Sequence, residues 1–183
     1  MIAPVQTATG AAVGLEQMLA AREQRAARQA AALARFCKPL VSATVVMPGA
    51  VKDGRLPRRV LSEALYELET LCGTRGWRIL AGEVLWRKTG PEALYVIDAE
   101  GRALKFAMLD LEEQHPIGRL WDLDVIAPAL GLLSRQQLGF PARRCLLCEE
   151  PAHGCARSRR HSTEELLSTI GNIVHEYHRR SVT

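Results

Sequence analysis

The feature that most constrains the fold is an apolar run, residues 120–126, in which two aspartates alternate with large hydrophobic side chains. Asp122 and Asp124 flank the single residue Leu123. Successive side chains of a β-strand point to opposite faces of a sheet, so a strand here places both carboxylates on one face. Leu123 and Val125 then point to the other face. The pattern therefore predicts a strand with one acidic face.

The acidic pair has the spacing of a divalent-cation site. Two carboxylates on one face of a strand lie about 7 Å apart, near enough to share one cation or to hold two. Phosphate-transfer sites bind Mg²⁺ through one or two carboxylates together with substrate phosphates. The chain has only five aspartates, and two of them stand here beside Trp121. The spacing alone leaves open a strand whose acidic face is simply solvated.

The residues before this strand add groups that suit an anionic phosphate. Gly118 and Arg119 offer backbone N–H groups and a guanidinium. Glu112, expected at the end of a preceding strand, is a third carboxylate and a third candidate ligand for Mg²⁺. His115 offers an imidazole that can accept a proton, although a histidine before a proline is also an ordinary turn residue.

Residues 112–125 read Glu-x-x-His-Pro-x-Gly-Arg-Leu-Trp-Asp-x-Asp-Val, which resembles the signature of the citrate lyase holo-acyl-carrier-protein synthases. Three further stretches resemble the same family. They are Arg-Glu-x-Arg-x-x-Arg-Gln at 22–29, Pro-Leu-Val-Ser through Met-Pro-Gly to Lys-Asp at 39–53, and Arg-Arg-Cys-Leu-Leu-Cys through Cys-Ala-Arg to His at 143–161. The resemblance covers nearly the whole chain.

The resemblance implies a nucleotidyl transfer. The donor is 2′-(5″-triphosphoribosyl)-3′-dephospho-coenzyme A and the acceptor is a serine of the apo acyl carrier subunit of citrate lyase. The serine hydroxyl attacks the phosphoryl group next to the ribose, and pyrophosphate leaves. A counterpart that loads the malonate decarboxylase carrier from the same donor is the alternative within enzymes.

Joined to the motif, this reaction assigns roles to particular residues. Mg²⁺ is expected at Asp122 and Asp124, with Glu112 as a further ligand. Arg119 is expected to stabilise the leaving group, together with one or both of Arg143 and Arg144. The proton acceptor for the serine is expected to be His115, and one of the aspartates is the alternative.

The positive charge of the chain is mostly arginine, with twenty arginines and four lysines for a net charge of +4. Arginine suits bidentate phosphate binding, but codon usage in a GC-rich genome also explains such an excess. Arg22, Arg25 and Lys52 are expected either to reach the donor or to face solvent. Nucleic acid is a poor fit as partner, because aromatic residues are 5% of the chain and no Lys/Arg tract interleaves with them.

The cysteines near the C-terminus follow the pattern Cys-x₂-Cys-x₆-Cys-x₅-His, formed by Cys145, Cys148, Cys155 and His161. This spacing suits a structural Zn²⁺, and His153 is a rival fourth ligand. The alternative is a set of reduced thiols lying among basic residues. A zinc-stabilised binding module without enzymatic activity is accordingly the alternative function from another class.

The hydrophobic pattern predicts one α+β domain over residues 1–183. Its parts are an N-terminal helix, a core, and a Cys/Arg-rich segment with a final helix, over residues 14–36, 40–135 and 143–181. The core is expected to be a mainly antiparallel sheet with helices on one face, in a ferredoxin-like arrangement. Residues 103–111 are expected to be one of its strands. Residues 1–13 show no pattern and are expected to fray.

The sequence also predicts the compartment. It has no apolar run of about 18 residues, and its N-terminus lacks a basic segment followed by an apolar one. A cytoplasmic protein without a membrane partner is therefore expected. Five cysteines in such a chain do not indicate a disulfide framework.

Overall fold

The computed structural model describes residues 10–181, so residues 1–9 of the predicted frayed start lie outside the described residues. The helices are α1 (Leu15–Phe36), α2 (Arg55–Arg75), α3 (Gly101–Gln114), α4 (Ala152–Ser158) and α5 (Thr163–Ser181). The strands are β1 (Leu40–Val45), β2 (Arg78–Arg87), β3 (Gly90–Asp98), β4 (Trp121–Ala127) and β5 (Gly131–Leu133).

The strands form a single five-stranded sheet in the order β2-β3-β1-β4-β5. All neighbouring strands pair antiparallel, which confirms the predicted α+β class. The element order β1-α2-β2-β3-α3-β4 is that of a split β-α-β unit. Membership of the ferredoxin-like folds stays a prediction.

The motif strand β4 has the alternation that its sequence predicts. Trp121, Leu123 and Val125 are fully buried. Asp122 is exposed and Asp124 is half-buried on the opposite face. The period of two residues thus sends the apolar side chains of β4 into the core and leaves the acidic ones outside it.

The prediction of a strand over residues 103–111 is wrong, because this segment belongs to helix α3. The carboxylate of Glu100 accepts hydrogen bonds from the backbone N–H groups of Arg102 and Ala103, which caps the first turn. Leu104 and Met108, four residues apart, are completely buried on one helix face. The segment is also rich in strong helix formers, a signal that outweighs its apolar character.

The main core lies between one sheet face and helices α2, α3 and α5. The indole Nε1 of Trp121 donates a 3.0 Å hydrogen bond to the Val60 carbonyl of α2. Helix α5 contributes Ile170 and Val174 to the same buried cluster. A capping box begins this helix, since Ser162 and Glu165 exchange side-chain-to-backbone hydrogen bonds of 2.8 and 3.1 Å.

Helix α1 lies on the other sheet face and is held mainly by polar contacts. Ala21 is its one buried residue. Arg25 and Arg28 of α1 both pair with Glu92 of β3, whose carboxylate is 6% exposed, and the Arg25 Nε lies 2.5 Å from it. No helix between residues 10 and 181 combines the length and the apolar character needed to cross a bilayer.

Glu92→Ala is expected to lower the free energy of unfolding by about 2 kcal/mol, because it removes the carboxylate partner of Arg25 and the more buried of the two carboxylate partners of Arg28. Glu83→Ala is the matched control. Glu83 pairs with the same Arg28 at 3.3 Å, but its side chain is 47% exposed, and its loss should cost less than about 0.5 kcal/mol. Urea unfolding measures both values, and equal effects would contradict the role given to Glu92.

Candidate active site

Asp122 and Asp124 line the same cleft, whose volume is about 350 Å³. Positively charged side chains surround them there, namely Lys105, Arg135 and Arg143. The arrangement brings two carboxylates and three cationic side chains to one concave surface, and such a surface can hold a metal ion together with a polyphosphate.

The cleft is built on a strand edge that the sheet leaves open. Strand β5 pairs with β4 only from Val125 onwards, so no strand pairs with the backbone of Leu123 on the β5 side of β4. The carboxylate Oε1 of Glu112 accepts a 2.8 Å hydrogen bond from the Leu123 N–H, and Lys105 Nζ donates a 3.0 Å bond to its carbonyl. Both side chains are buried and lie two turns apart on α3. Helix α3 therefore completes the edge of β4 with charged side chains.

Glu112 also holds Arg143 in place. The Nη2 atom of Arg143 lies 2.7 Å from Glu112 Oε2 and donates a 2.9 Å hydrogen bond to the Trp121 carbonyl. Arg135 approaches the same carboxylate oxygen at 3.5 Å. Protein groups contact both oxygens of Glu112, so this residue anchors Arg143 and the β4 backbone. Its position does not support the expected role of Glu112 as a Mg²⁺ ligand.

The electrostatic environment of Asp124 differs from that of an ordinary surface aspartate. Burial raises the pKa of Asp124, and the neighbouring carboxylates of Asp122 and Glu112 raise it further. Lys105 and Arg143 oppose the shift without cancelling it. Burial is the largest cause of the shift, so the ionised carboxylate of Asp124 costs free energy in this cleft, and a bound cation would offset that cost.

Asp124→Asn is expected to raise the melting temperature of the metal-free protein at neutral pH. The raised pKa means that the native state holds the Asp124 proton more tightly than the unfolded chain, so the ionised carboxylate costs stability. The gain should be complete above the raised pKa and shrink as the pH falls towards about 4, where the unfolded chain also protonates.

Thermal melts across this pH range measure the effect. Asp110→Asn is the control, because Asp110 is an exposed residue of α3 and its substitution should change the melting temperature little. A melting temperature that fell on Asp124→Asn at neutral pH would contradict the account.

The structure does not bring His115 to the acidic pair. Its ring stacks on Trp121 with centroids 4.5 Å apart, and its Nε2 lies 3.9 Å from Glu67 Oε1 of α2. Trp121 points to the core face of β4, opposite to Asp122 and Asp124. Burial lowers the pKa of His115, although Glu67 opposes this. The expected role of His115 as the base therefore has no support from its position.

The Gly118–Arg119 loop serves packing. A Cβ on Gly118 would lie 2.2 Å from a backbone carbonyl of α3, so only glycine allows this approach. The Gly118 N–H already donates a 2.9 Å hydrogen bond to the His115 carbonyl. Arg119 donates 2.8 Å hydrogen bonds to the carbonyls of Arg144 and Cys145. The loop thereby fastens the motif to the cysteine segment.

The other expected donor-binding residues lie outside the cleft. Arg25 is engaged with Glu92, and Lys52 Nζ donates a 2.5 Å hydrogen bond to the Met47 carbonyl. Burial and the neighbouring Arg22 lower the pKa of Lys52. Arg22 is thus near enough to Lys52 to act on its charge, and neither they nor Arg25 line the cleft of the acidic pair.

Two cations of the cleft were not predicted from the sequence. Residues 103–111 were predicted to be a strand, so Lys105 was not considered. A helix prediction would have placed Lys105 on one face with Glu112, seven residues later. Arg135 comes from the loop after β5, where no local pattern indicates its function. Its approach to Glu112 is a tertiary contact.

The C-terminal segment forms a cluster that can hold a metal ion. The ligand atoms of Cys145, Cys148, Cys155 and His161 all lie within 4.8 Å of one another. Cys148 Sγ is 3.5 Å from Cys155 Sγ and 3.3 Å from His161 Nε2, and the cysteines are free thiols. A tetrahedral ion with bonds of about 2.3 Å to sulfur separates two sulfurs by about 3.8 Å, so this set fits. The rival ligand His153 instead lines the cleft of the acidic pair.

An acidic pair on a strand, facing a wall of cations, is the arrangement of enzymes that transfer phosphoryl and nucleotidyl groups. Comparison with known proteins narrows this class. A family model described as apo-citrate lyase phosphoribosyl-dephospho-CoA transferase matches residues 13–177. The chain belongs to this family, which confirms the resemblance drawn from its motifs.

Individual relatives match over similar lengths. The apo-citrate lyase phosphoribosyl-dephospho-CoA transferase of Citrobacter koseri is 43% identical over 171 residues, 93% of each chain. The probable enzyme of that name from Vibrio cholerae is 48% identical over 166 residues, 90% of this chain and 93% of the relative. An Escherichia coli relative of the same name is 42% identical over 165 residues, 90% of each chain.

Proposed function

We propose that this chain, acting as one transferase domain over residues 1–183, carries out the reaction named by its family. It moves the phosphoribosyl-dephospho-CoA group from its triphosphate donor to a serine of the apo acyl carrier subunit of citrate lyase, and pyrophosphate leaves. The observation that carries the proposal is the pairing of Asp122 and Asp124 in a cleft with Lys105, Arg135 and Arg143, in a member of this family.

Asp122 and Asp124 are the residues that hold Mg²⁺ in this proposal. Two carboxylates leave the remaining coordination positions to donor phosphates and water, which is how Mg²⁺ is commonly bound in such enzymes. When bound there, Mg²⁺ neutralises charge on the triphosphate and on the departing pyrophosphate. The shared cleft of the two carboxylates and the raised pKa of Asp124, which a bound cation would offset, support the assignment.

The cations of the cleft bind and orient the polyphosphate. Arg143 is fixed by Glu112 and by the Trp121 carbonyl, so it meets the donor in one orientation. Lys105 stands beside the aspartates on the rigid helix α3. Because His115 lies on the far face of β4, we assign acceptance of the serine proton to the acidic pair itself.

Asp122→Asn and Asp124→Asn are each expected to lower the rate of carrier labelling by about 100-fold or more while the protein stays folded, because each removes one anionic ligand for Mg²⁺. The measurement is incorporation of the prosthetic group into the apo carrier and release of pyrophosphate, with and without chelator. Asp110→Asn, an exposed carboxylate on α3, is the control and should retain the rate.

Turnover like that of the wild type in both aspartate variants, or undiminished pyrophosphate release in chelator, would contradict the metal role. The apo carrier of malonate decarboxylase serves as a second acceptor in the same assay, and preference for it would redirect the proposal to that carrier.

We further propose that Cys145, Cys148, Cys155 and His161 bind a structural Zn²⁺. Three thiols and one imidazole form a ligand set that closes the coordination sphere, as in structural zinc sites. The segment around the cluster has little regular structure besides the seven-residue helix α4. A bound ion would therefore hold together a part of the chain that hydrophobic burial stabilises weakly.

Metal analysis of the purified protein is expected to find about one zinc per chain. Cys148→Ser should lose it, because Cys148 contacts two of the other ligands. Cys37→Ser is the control, since Cys37 is exposed and lies far along the chain from the cluster. Equal zinc content in all three proteins would exclude the cluster as the site. Stoichiometric zinc without any transfer activity would favour the non-enzymatic binding module.

A further inference from the structure

A second cavity, of about 600 Å³, lies beside the cleft of the acidic pair. We call it the arginine cavity. Its positively charged lining residues are Arg119, Arg143, Arg144 and Arg159, and its apolar wall contains Val46, Met47, Pro48, Leu146 and Leu166. The size is that of a cavity for a small organic ligand.

The charge of the arginine cavity is unbalanced. No aspartate or glutamate is among its lining residues in the described part of the chain. Across residues 10–181, Arg159 forms no ion pair or hydrogen bond through its guanidinium, and Arg144 pairs only with Glu149, whose side chain is 86% exposed. Two guanidinium groups are thus free, or nearly so, to bind an anion at the rim of an apolar space.

The arginine cavity continues into the cleft of the acidic pair. Arg143 and Ala152 line both spaces, so one ligand can extend from the first to the second past Arg143. Cys145, Cys155 and His161 of the Cys/His cluster form part of the wall of the arginine cavity. Arg144 directly precedes Cys145 in the chain and Arg159 precedes His161 by two residues, so a metal ion in the cluster would fix the backbone next to both arginines.

We propose that the arginine cavity holds the dephospho-CoA arm of the donor, with its diphosphate against Arg144 and Arg159 and its pantetheine along the apolar wall. The inference rests on the proposed function, because it concerns the same donor. That donor carries two anionic groups, a diphosphate and a triphosphate, joined by an adenosine and a second ribose. The chain offers two cationic spaces joined at Arg143, and only the cleft also holds the aspartates that would bind Mg²⁺.

Calorimetric titration with dephospho-CoA tests this arrangement on the full chain. Arg159→Ala is expected to weaken binding about tenfold, since it removes a charge-assisted contact with the diphosphate. Ala156→Phe, which fills the cavity without removing charge, should weaken binding to a similar degree. Arg157→Ala is the matched control, because Arg157 lies on helix α4 two residues before Arg159 but outside the cavity lining, and the affinity should stay within about twofold.

The outcomes separate this inference from the proposed function. Asp122→Asn should bind dephospho-CoA like the wild type while losing transfer, because the acidic pair holds the other end of the donor. Unchanged affinity in both Arg159→Ala and Ala156→Phe, or no binding of dephospho-CoA by the wild type, would overturn the inference and leave the transferase proposal standing. Normal transfer by Asp122→Asn would instead refute the metal role in the proposed function. Thermal melts of every variant show that a loss of binding does not come from unfolding.

Discussion

The site depends on the buried carboxylate of Glu112, which lies where β5 does not pair with β4. One of its oxygens completes the hydrogen bonding of the Leu123 backbone, and the other holds Arg143. A charged hydrogen bond of this kind is strong inside a protein, because little water competes for either partner. Glu112 thus joins helix α3 both to the motif strand and to the cysteine segment. Arg143, the residue between the cleft and the arginine cavity, takes its position from Glu112.

The two faces of strand β4 have different roles, because one packs in the core and the other lines the cleft. Its core face carries Trp121, with His115 stacked against the ring, and no part of that face meets the cleft. Its other face carries the two aspartates, one of which has a raised pKa because it is half-buried beside like charges. The fold therefore tolerates an unfavourable charge on the side where the proposed Mg²⁺ would compensate it.

Much of this was predictable because the signals are local. The alternation around Asp122 and Asp124 is a strand pattern, and the start of α5 is a capping box. The Cys-x₂-Cys pattern named the cluster that the structure brings together. The helix α3 was missed although its signal was present in Glu100 and in the spacing of its buried residues. That error also hid Lys105 from the site.

The residues alone were enough to predict the acidic face of β4, a metal-binding set of three cysteines with one of two histidines, and the family to which the chain belongs. These properties follow from the period of a strand, from ligand chemistry and from motifs, all of which are written in neighbouring residues. The folded chain was needed to show that Glu112 is an anchor, that His115 faces away from the cleft, and that Lys105 and Arg135 line it with the aspartates. Such placements depend on how α3 and the loop after β5 pack on an open strand edge. No local pattern specifies that packing, because it results from hydrogen bonds that residues far apart in the chain satisfy together.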